Sequence, residues 1–232
     1  MRDCLNKGAF SHLEGPLDEF LDSPCRERRA SRFYAIFNGI QRDACANLKI
    51  IWQRDLGCEW TDEEWAKIIA ESGRYIREAR GKCIQYKIIH RFYYTPSRLH
   101  RIGVMDNNLC WKCKSVTGTL IHALWECGSV RPFWRKVLEH METWLGRTLP
   151  VSPKLCLLGD RSEVLELSKY DYAVLKTGFV TASRMILQLW KSPGMPDLGK
   201  WREKMGEVGN YEKMLIRLGG GELQIWEGMG GF

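Results

Sequence analysis

Three cysteines and one histidine lie within eighteen residues of one another near the middle of the sequence. They have the spacing C-x2-C-x8-H-x4-C and are Cys110, Cys113, His122 and Cys127. Two cysteines three residues apart form a turn whose thiolates converge on one ion, and three thiolates with one imidazole complete a tetrahedral Zn2+ shell. Because a complete shell leaves no position for water, we expect a structural zinc ion and no hydrolytic chemistry. The alternatives are four core or surface residues that lie near each other by chance, or His100 in place of His122 as the ligand.

Cationic side chains are concentrated directly before these four residues. The formal net charge of the chain is +7, and the window from Arg74 to Arg101 contains eight basic residues and a single acid, Glu78. The other residues sum to zero, so the charge is local. Arginine and lysine interleaved with tyrosine and phenylalanine suit phosphate contacts combined with base stacking. The side chains that we expect to contact nucleic acid are those of Arg77, Arg80, Lys87, Arg91, Arg98 and Arg101.

The same window has a second interpretation, in which its cations form a solvated helix face. At about 100° per residue, Tyr86, His90 and Tyr93 fall in the apolar arc of a helix over residues 74–93. This assignment places their rings in the core and weakens the case for base stacking, and it makes His90 a hydrogen-bonded core histidine. The case for phosphate contacts remains, because one acid opposes eight cations.

Helical signals surround both features. Thr61 and Glu64 fit a capping box, and Pro132 suits the first turn of a helix that runs to Leu145. Apolar residues recur at helical spacing over residues 163–191, and a last helix is expected over 201–218. Residues 155–158 form either a strand-like segment or one buried turn. The sequence therefore predicts an all-α fold: a small helical domain around one structural zinc knuckle, followed by a carboxy-terminal helical hairpin.

The same signals predict three segments. Residues 1–46 are linker-like or partly disordered, 47–160 form the helical zinc-finger-like domain, and 161–232 form carboxy-terminal helices with a frayed glycine-rich end. The chain has no run of eighteen apolar residues and no secretory signature, which is typical of a cytoplasmic or nuclear protein with reduced thiols. Six cysteines have no partner that their spacing supports: Cys4, Cys25, Cys45, Cys58, Cys83 and Cys156.

Five stretches together form a recognisable pattern. They are Gln85–Pro96, Arg98–Arg101, Gly118–His122, Leu124–Cys127 and Phe133-Trp134. This pattern resembles the carboxy-terminal, cysteine-rich segment of LINE-type non-LTR retrotransposon reverse transcriptases, most closely over residues 48–159. The resemblance implies that the three cysteines and His122 are the residues of a zinc-finger-like motif. It also implies contact with the element's RNA during target-primed reverse transcription.

Familiar catalytic motifs are absent from the sequence. It contains no Tyr-x-Asp-Asp, Gly-x-Ser-x-Gly or His-Glu-x-x-His, and no Gly-x-x-x-x-Gly-Lys that is followed by Ser or Thr. We therefore predict a non-enzymatic, zinc-stabilised segment that binds RNA or single-stranded DNA nonspecifically, derived from a reverse transcriptase and lacking the polymerase and endonuclease domains. Neither a membrane nor a small-molecule substrate is expected as a partner. The alternative is a structural or protein-interaction remnant that self-associates and does not bind nucleic acid on its own.

Overall fold

The computed structural model describes residues 47–192 and 194–219, with the backbone alone at 212 and 215–219. The expectations for residues 1–46 and for the glycine-rich end after 219 lie outside this range. The chain divides into two units, Met1–Arg54 and Asp55–Phe232. The described part of the first unit, residues 47–54, is helical, and that helix ends at residue 56. The domain boundaries expected at residues 46 and 160 stay predictions.

The described residues are organised as helices. They are α1 (Asp62–Glu71), α2 (Ala79–Ile89), α3 (Pro96–Arg101), α4 (Arg131–Leu145), α5 (Lys169–Leu189) and α6 (Leu198–Gly219). Two single π-helical turns, His122–Glu126 and Lys154–Leu158, and one 3-10 turn, Arg161–Val164, lie between them. Apart from an isolated antiparallel bridge between Leu109 and Thr117, this part of the chain has no β-structure. The predicted all-α fold is confirmed.

Helix α5 lies at the centre of the second unit. It packs against α2, α4 and α6 and against both π-helical turns. Every residue from Val174 to Ile186 is buried, and this stretch includes the polar residues Lys176, Thr177, Thr181, Ser183 and Arg184. The indole N–H of Trp201 in α6 donates to the carbonyl of Gly178 in α5 at 3.0 Å, so the two carboxy-terminal helices pack closely. No helix in the described ranges is both long and apolar enough to cross a bilayer.

Helix α1 begins and ends with side-chain hydrogen bonds. The predicted capping box is present, because the Thr61 hydroxyl accepts from the Glu64 amide at 3.2 Å and the Glu64 carboxylate accepts from the Thr61 amide at 2.8 Å. At the other end, the buried Lys176 ammonium of α5 donates to the carbonyl of Glu71 at 2.8 Å. Burial lowers the pKa of Lys176 to about 8. These contacts fix α1 on the central helix.

Helix α2 differs from the helix expected over residues 74–93. It begins at Ala79, and its buried face consists of Gly81, Gln85, Ile88 and Ile89. This face is rotated by about a third of a turn from the apolar arc that the sequence indicated. Tyr86, which was expected in the core, is 52% exposed. The assignment of that ring to the core is therefore wrong.

Two residues with little hydrophobicity cause this rotation. A Cβ atom on Gly81 would lie 3.6 Å from Val180 Cγ1 of α5, an ordinary contact, but only 2.8 Å from Ile76 Cγ2, so glycine lets Ile76 pack against α2. Gln85 is 2% exposed and its amide donates to the carbonyls of Leu157 at 2.9 Å and Leu158 at 3.3 Å. Close packing and two buried hydrogen bonds thus orient the helix, and side-chain hydropathy does not.

Candidate metal centre

The four residues of the predicted motif come together in the structure. One ligand atom from each of Cys110, Cys113, His122 and Cys127 lies within 4.8 Å of all the others. The sulfur atoms of Cys110 and Cys127 are 4.0 Å apart, and Cys113 Sγ is 3.4 Å from His122 Nε2. We call these four residues the Cys-His cluster. The cluster could hold a metal ion, as the spacing predicted.

The first two ligands lie on a tight turn, which we call the knuckle (Cys110–Cys113). It closes through the Lys114 amide, which donates to the carbonyl of Cys110 at 2.9 Å. The returning chain pairs with the segment that enters the knuckle, because the Cys110 amide donates to Val116 and the Gly118 amide donates to the Asn108 carbonyl, each at 2.8 Å. These bonds hold the turn open toward the other two ligands.

Gly118 is required by close packing at this point. A Cβ atom there would lie 2.6 Å from Pro96 Cγ and 3.0 Å from the Cα atom of Cys110. The backbone φ angle of Gly118 is not in the left-handed region, so its role is to let two chain segments approach each other. The structure shows a packing glycine beside a ligand.

The other two ligands are brought together by the first π-helical turn. The Cys127 amide donates to the His122 carbonyl at 2.9 Å, which is the i to i+5 bond of a π-helix. In an α-helix, residues five apart point about 140° away from each other, because each residue advances by about 100°. The wider π-helical turn reduces this angle. Residues His122 and Cys127 can therefore face one ion from the same side.

Two thiols of the cluster have pKa values shifted in opposite directions. Hydrogen bonds from the Ser115 hydroxyl and amide, from the Val116 amide and from His122 lower the pKa of Cys113 to about 5. Burial raises the pKa of Cys110, which lies 4% exposed. A thiolate is the form that binds metal, and a metal ion supplies the positive charge that a second buried thiolate needs.

Two separations within the cluster are close to those expected around a tetrahedral ion. Bonds of about 2.3 Å to sulfur and about 2.0 Å to nitrogen place ligand atoms roughly 3.5 to 3.8 Å apart in such a site. The two separations given above, 3.4 Å and 4.0 Å, lie on either side of this interval. His100 is exposed and its Nδ1 lies 3.0 Å from the Met105 carbonyl, so it is not part of the cluster.

Aromatic contacts fix the knuckle on the carboxy-terminal half of the unit. The ring of Trp111, inside the knuckle, lies 5.1 Å from that of Trp190 at the end of α5. Trp190 also contacts Tyr93 edge-on at 5.5 Å, and the Lys191 ammonium lies 5.1 Å above the Trp111 ring. This contact could not be predicted from the sequence, because Trp190 lies 79 positions after Trp111 in the chain.

Lys112 makes a second connection between the same two regions. Its ammonium donates to the carbonyl of Gly194 at 2.7 Å and to that of Ser192 at 3.2 Å. Both carbonyls belong to the segment that joins α5 to α6. The knuckle therefore packs against the helical core, and a change in its conformation would alter the contacts of α5.

The six residues predicted to contact nucleic acid are distributed unevenly. Exposed side chains are those of Arg77, Arg80, Lys87 and Arg101, whereas Arg91 and Arg98 are half-buried. The guanidinium of Arg91 forms an ion pair of 2.6 Å with Asp55, which neutralises much of its charge. Arg98 donates to the carbonyl of Arg91 at 3.0 Å and lies 4.8 Å from the centroid of the Tyr94 ring.

Three rings of the same window lie together in the structure, and we call them the aromatic cluster (Tyr86, His90 and Phe92). The His90 ring lies 4.2 Å from Tyr86 and 5.9 Å from Phe92, measured between centroids. His90 is half-buried, and burial lowers its pKa, so its ring is mainly neutral at pH 7. Helical periodicity places Tyr86 and His90 in the apolar arc, so only the rotation of α2 shows that Tyr86 lies at the surface.

Comparisons with known proteins give a limited result. No family model matches the chain. Isopimaradiene synthase, chloroplastic, from Picea sitchensis and bifunctional isopimaradiene synthase, chloroplastic, from Picea abies are each 28% identical to it over 122 residues. The match covers 50% of this chain and 13% of each synthase. The fold and the cluster thus define an all-α protein with a candidate metal centre, and the resemblance to LINE-type reverse transcriptases stays a prediction.

Proposed function

We propose that this chain is a zinc-stabilised module that binds RNA or single-stranded DNA nonspecifically and has no enzymatic activity. In this proposal it derives from the carboxy-terminal segment of a LINE-type reverse transcriptase. The observation that carries the binding function is the exposure of rings in the basic window: Tyr86 is 52% exposed, Phe92 51% and Tyr94 54%. Exposed aromatic faces beside cations are the usual platform for unpaired bases.

The charges of the window support the same function. Its single acid, Glu78, accepts from the Arg184 guanidinium of α5 at 3.3 Å, so an arginine from outside the window balances it. Arg80 and Lys87 are exposed on α2, where Lys87 directly follows Tyr86 in the chain. Their charges are available to phosphates, whereas the charge of Arg91 is balanced by Asp55.

Zinc is the metal that best suits the candidate centre. Three thiolates and one imidazole form a soft, four-coordinate donor set, and such closed sets are structural zinc sites. The residues that would hold the ion are Cys110, Cys113, His122 and Cys127. When bound, the ion would supply positive charge to three thiolates and cross-link the knuckle to the π-helical turn. Metal analysis of the purified protein tests this part, and an absence of bound zinc would contradict it.

The binding function is tested by a salt titration with a short unstructured RNA. We expect the double substitution Arg80→Glu with Lys87→Glu to abolish most of the RNA binding. The milder double substitution Arg80→Gln with Lys87→Gln should reduce the slope of log affinity against log salt by about 1.4, since each phosphate contact contributes about 0.7. The matched control is Lys169→Glu with Lys200→Glu, which makes the same charge change at exposed positions of α5 and α6. Equal loss of affinity in both pairs, or no binding at low salt, would contradict the proposal.

A specific observation favours one second candidate, the self-associating remnant. Large apolar side chains near the knuckle are exposed: Ile102 by 53%, Val104 by 66% and Val116 by 51%. Such residues can form an interface between copies. Sedimentation analysis distinguishes the two candidates. A dimer that persists in high salt and dissociates on Val104→Ser with Val116→Ser would favour the remnant, and a monomer would favour the binding module.

A further inference from the structure

A groove runs along α4, directly after the turn that carries the last two ligands. Its volume is about 440 Å3, which lies within the range of about 300 to 1,000 Å3 typical of small-molecule sites. The buried side chains of Trp134 and Leu138 line its floor, while the half-buried Trp125 and the exposed Val151 lie at its edges. No part of this groove belongs to the basic window.

One end of the groove is cationic. Arg131 and Arg135 both line it and are both exposed. They are four residues apart on one helix, where like charges repel each other. Within the described residues neither guanidinium forms an ion pair with an acid. Two adjacent guanidinium groups of this kind bind phosphate oxygens through several parallel hydrogen bonds.

An aromatic ring stands beside these arginines. Trp125 lies 5.3 Å from Trp134 at an interplanar angle of 51°. Trp134 is itself fixed, because its indole N–H donates to the carbonyl of Leu124 at 2.6 Å. Trp125 is therefore held on one side by a buried ring, and its remaining surface lines the groove. A supported tryptophan of this kind is a stacking surface for a flat base.

The other end of the groove is acidic. Glu139 is exposed there, about 6 Å beyond Arg135 along the helix axis. Glu142 also lines the groove, but its carboxylate already accepts from the Leu149 amide at 2.7 Å. Glu139 thus offers a carboxylate acceptor for N–H groups. Along its length the groove therefore offers three features in order: an anion-binding pair of arginines, a flat apolar surface and an acceptor for N–H groups.

We propose that the α4 groove binds one nucleotide unit of a single strand. The phosphate contacts Arg131 and Arg135, the base lies against Trp125, and Glu139 accepts an N–H of the base edge. A simple anion would use the arginines alone, and an aliphatic acid would leave Trp125 unused. That the ligand is part of a single strand rests on the proposed function, whereas nucleotide binding in the groove is tested with a free nucleotide.

The test is a titration of the 15N-labelled full chain with AMP, followed by the tryptophan indole N–H signals. The Trp125 signal is assigned by Trp125→Phe. We expect AMP to shift this signal until binding is saturated. The double substitution Arg131→Glu with Arg135→Glu should weaken the affinity for AMP at least about tenfold, which is the loss expected when charge-assisted hydrogen bonds are removed. The matched control is Lys136→Glu, a charge reversal at an exposed position of α4 outside the groove, which should leave AMP binding unchanged.

Further titrations distinguish the possible results of this experiment. The Arg80→Glu with Lys87→Glu chain should still bind AMP, so failure of the basic window leaves the groove standing. Equal shifts with ribose 5-phosphate or inorganic phosphate would overturn the role of Trp125 and reduce the groove to an anion site. An absence of any shift with AMP, or tighter binding of an acidic peptide than of AMP, would overturn the proposal. The comparison of AMP with ribose 5-phosphate uses the unaltered chain, so it holds even where a variant fails to fold.

Discussion

The Cys-His cluster and the basic window are neighbours in the sequence but relate to the core in opposite ways. Cys127 is completely buried and Cys110 is 4% exposed, and the knuckle is tied to α5 through Trp111 and Trp190. The window buries one face of α2 together with Ile76, Thr95 and Pro96, while the ring of Tyr86 lies at the surface. We therefore expect changes at the cluster to alter stability and changes on the exposed side of the window to alter binding.

Removal of the metal should give the largest effect. A ligand that binds only the folded state stabilises it by about 4 kcal/mol when the free ligand exceeds Kd a thousandfold. Chelation, or the substitution Cys127→Ala, should remove this contribution and lower the urea midpoint of unfolding. The tie between Trp111 and Trp190 should spread the loss to α5, so circular dichroism at helical wavelengths should report it.

The control for this change is Cys83→Ala, which removes an exposed thiol of α2 outside the cluster. It should leave the midpoint of unfolding unchanged with and without chelator. If Cys127→Ala and chelation both left the midpoint where it was, the cluster would be a group of ordinary core thiols. The contrast between the two regions would then be lost.

A smaller loss is expected from Gly118→Ala. The added Cβ would meet Pro96 and the backbone of Cys110 at 2.6 to 3.0 Å, so one segment must move. Overpacking of this kind costs about 1 to 3 kcal/mol, and here it should also weaken metal binding because a ligand residue is displaced. Gly128→Ala is the matched control, because a Cβ there meets nothing within 4 Å although it adjoins Cys127. Metal competition assays and urea unfolding measure both effects, and equal values for the two variants would contradict this account.

Much of the metal centre could be predicted from the sequence for a local reason. All four ligands lie within one short stretch, and the spacing of Cys110 and Cys113 determines a turn almost independently of the rest of the chain. What could not be predicted is long-range. The contact of Trp111 with Trp190 and the π-helical bond between His122 and Cys127 depend on how α5 and the turn pack.

The basic window shows the reverse situation. Its charge was correctly located, but the orientation of α2 was not, because hydrophobic periodicity counts Tyr86 as apolar and Gln85 as polar. In the structure Gln85 is 2% exposed and Tyr86 is 52% exposed. The hydrogen bonds that bury Gln85 come from a segment more than seventy residues away. Periodicity within one helix contains no information about such partners.

The cause of the orientation of α2 can be tested at Gln85 itself. Gln85→Leu should destabilise the chain by about 1 to 2 kcal/mol, because the buried carbonyls of Leu157 and Leu158 would lose their donor. Gln188→Leu, at an exposed position of α5, is the matched control and should change stability little. Urea unfolding decides between them. A gain in stability at position 85 would mean that hydropathy, and not hydrogen bonding, sets the face of α2.

The smallest effect on stability, and the sharpest test of the contrast, is expected from Tyr86→Ala. The Tyr86 ring is 52% exposed, and its aromatic contacts are with His90 and Phe92. Its loss should therefore lower the free energy of unfolding by less than about 1 kcal/mol. Stacking of one base on an aromatic ring contributes about 1 to 3 kcal/mol to single-strand binding, so RNA affinity should fall roughly tenfold. Tyr170→Ala, at a tyrosine 46% exposed on α5, should change neither quantity.

Stability and affinity must therefore separate at position 86 if the window is a binding surface. Parallel measurement of urea unfolding and RNA affinity on Tyr86→Ala gives both values from one protein. A large loss of stability with unchanged affinity would mean that the aromatic cluster supports α2 from outside, as a packing device. The window would then resemble the metal centre in serving the fold, and the exposed rings would need a partner other than nucleic acid.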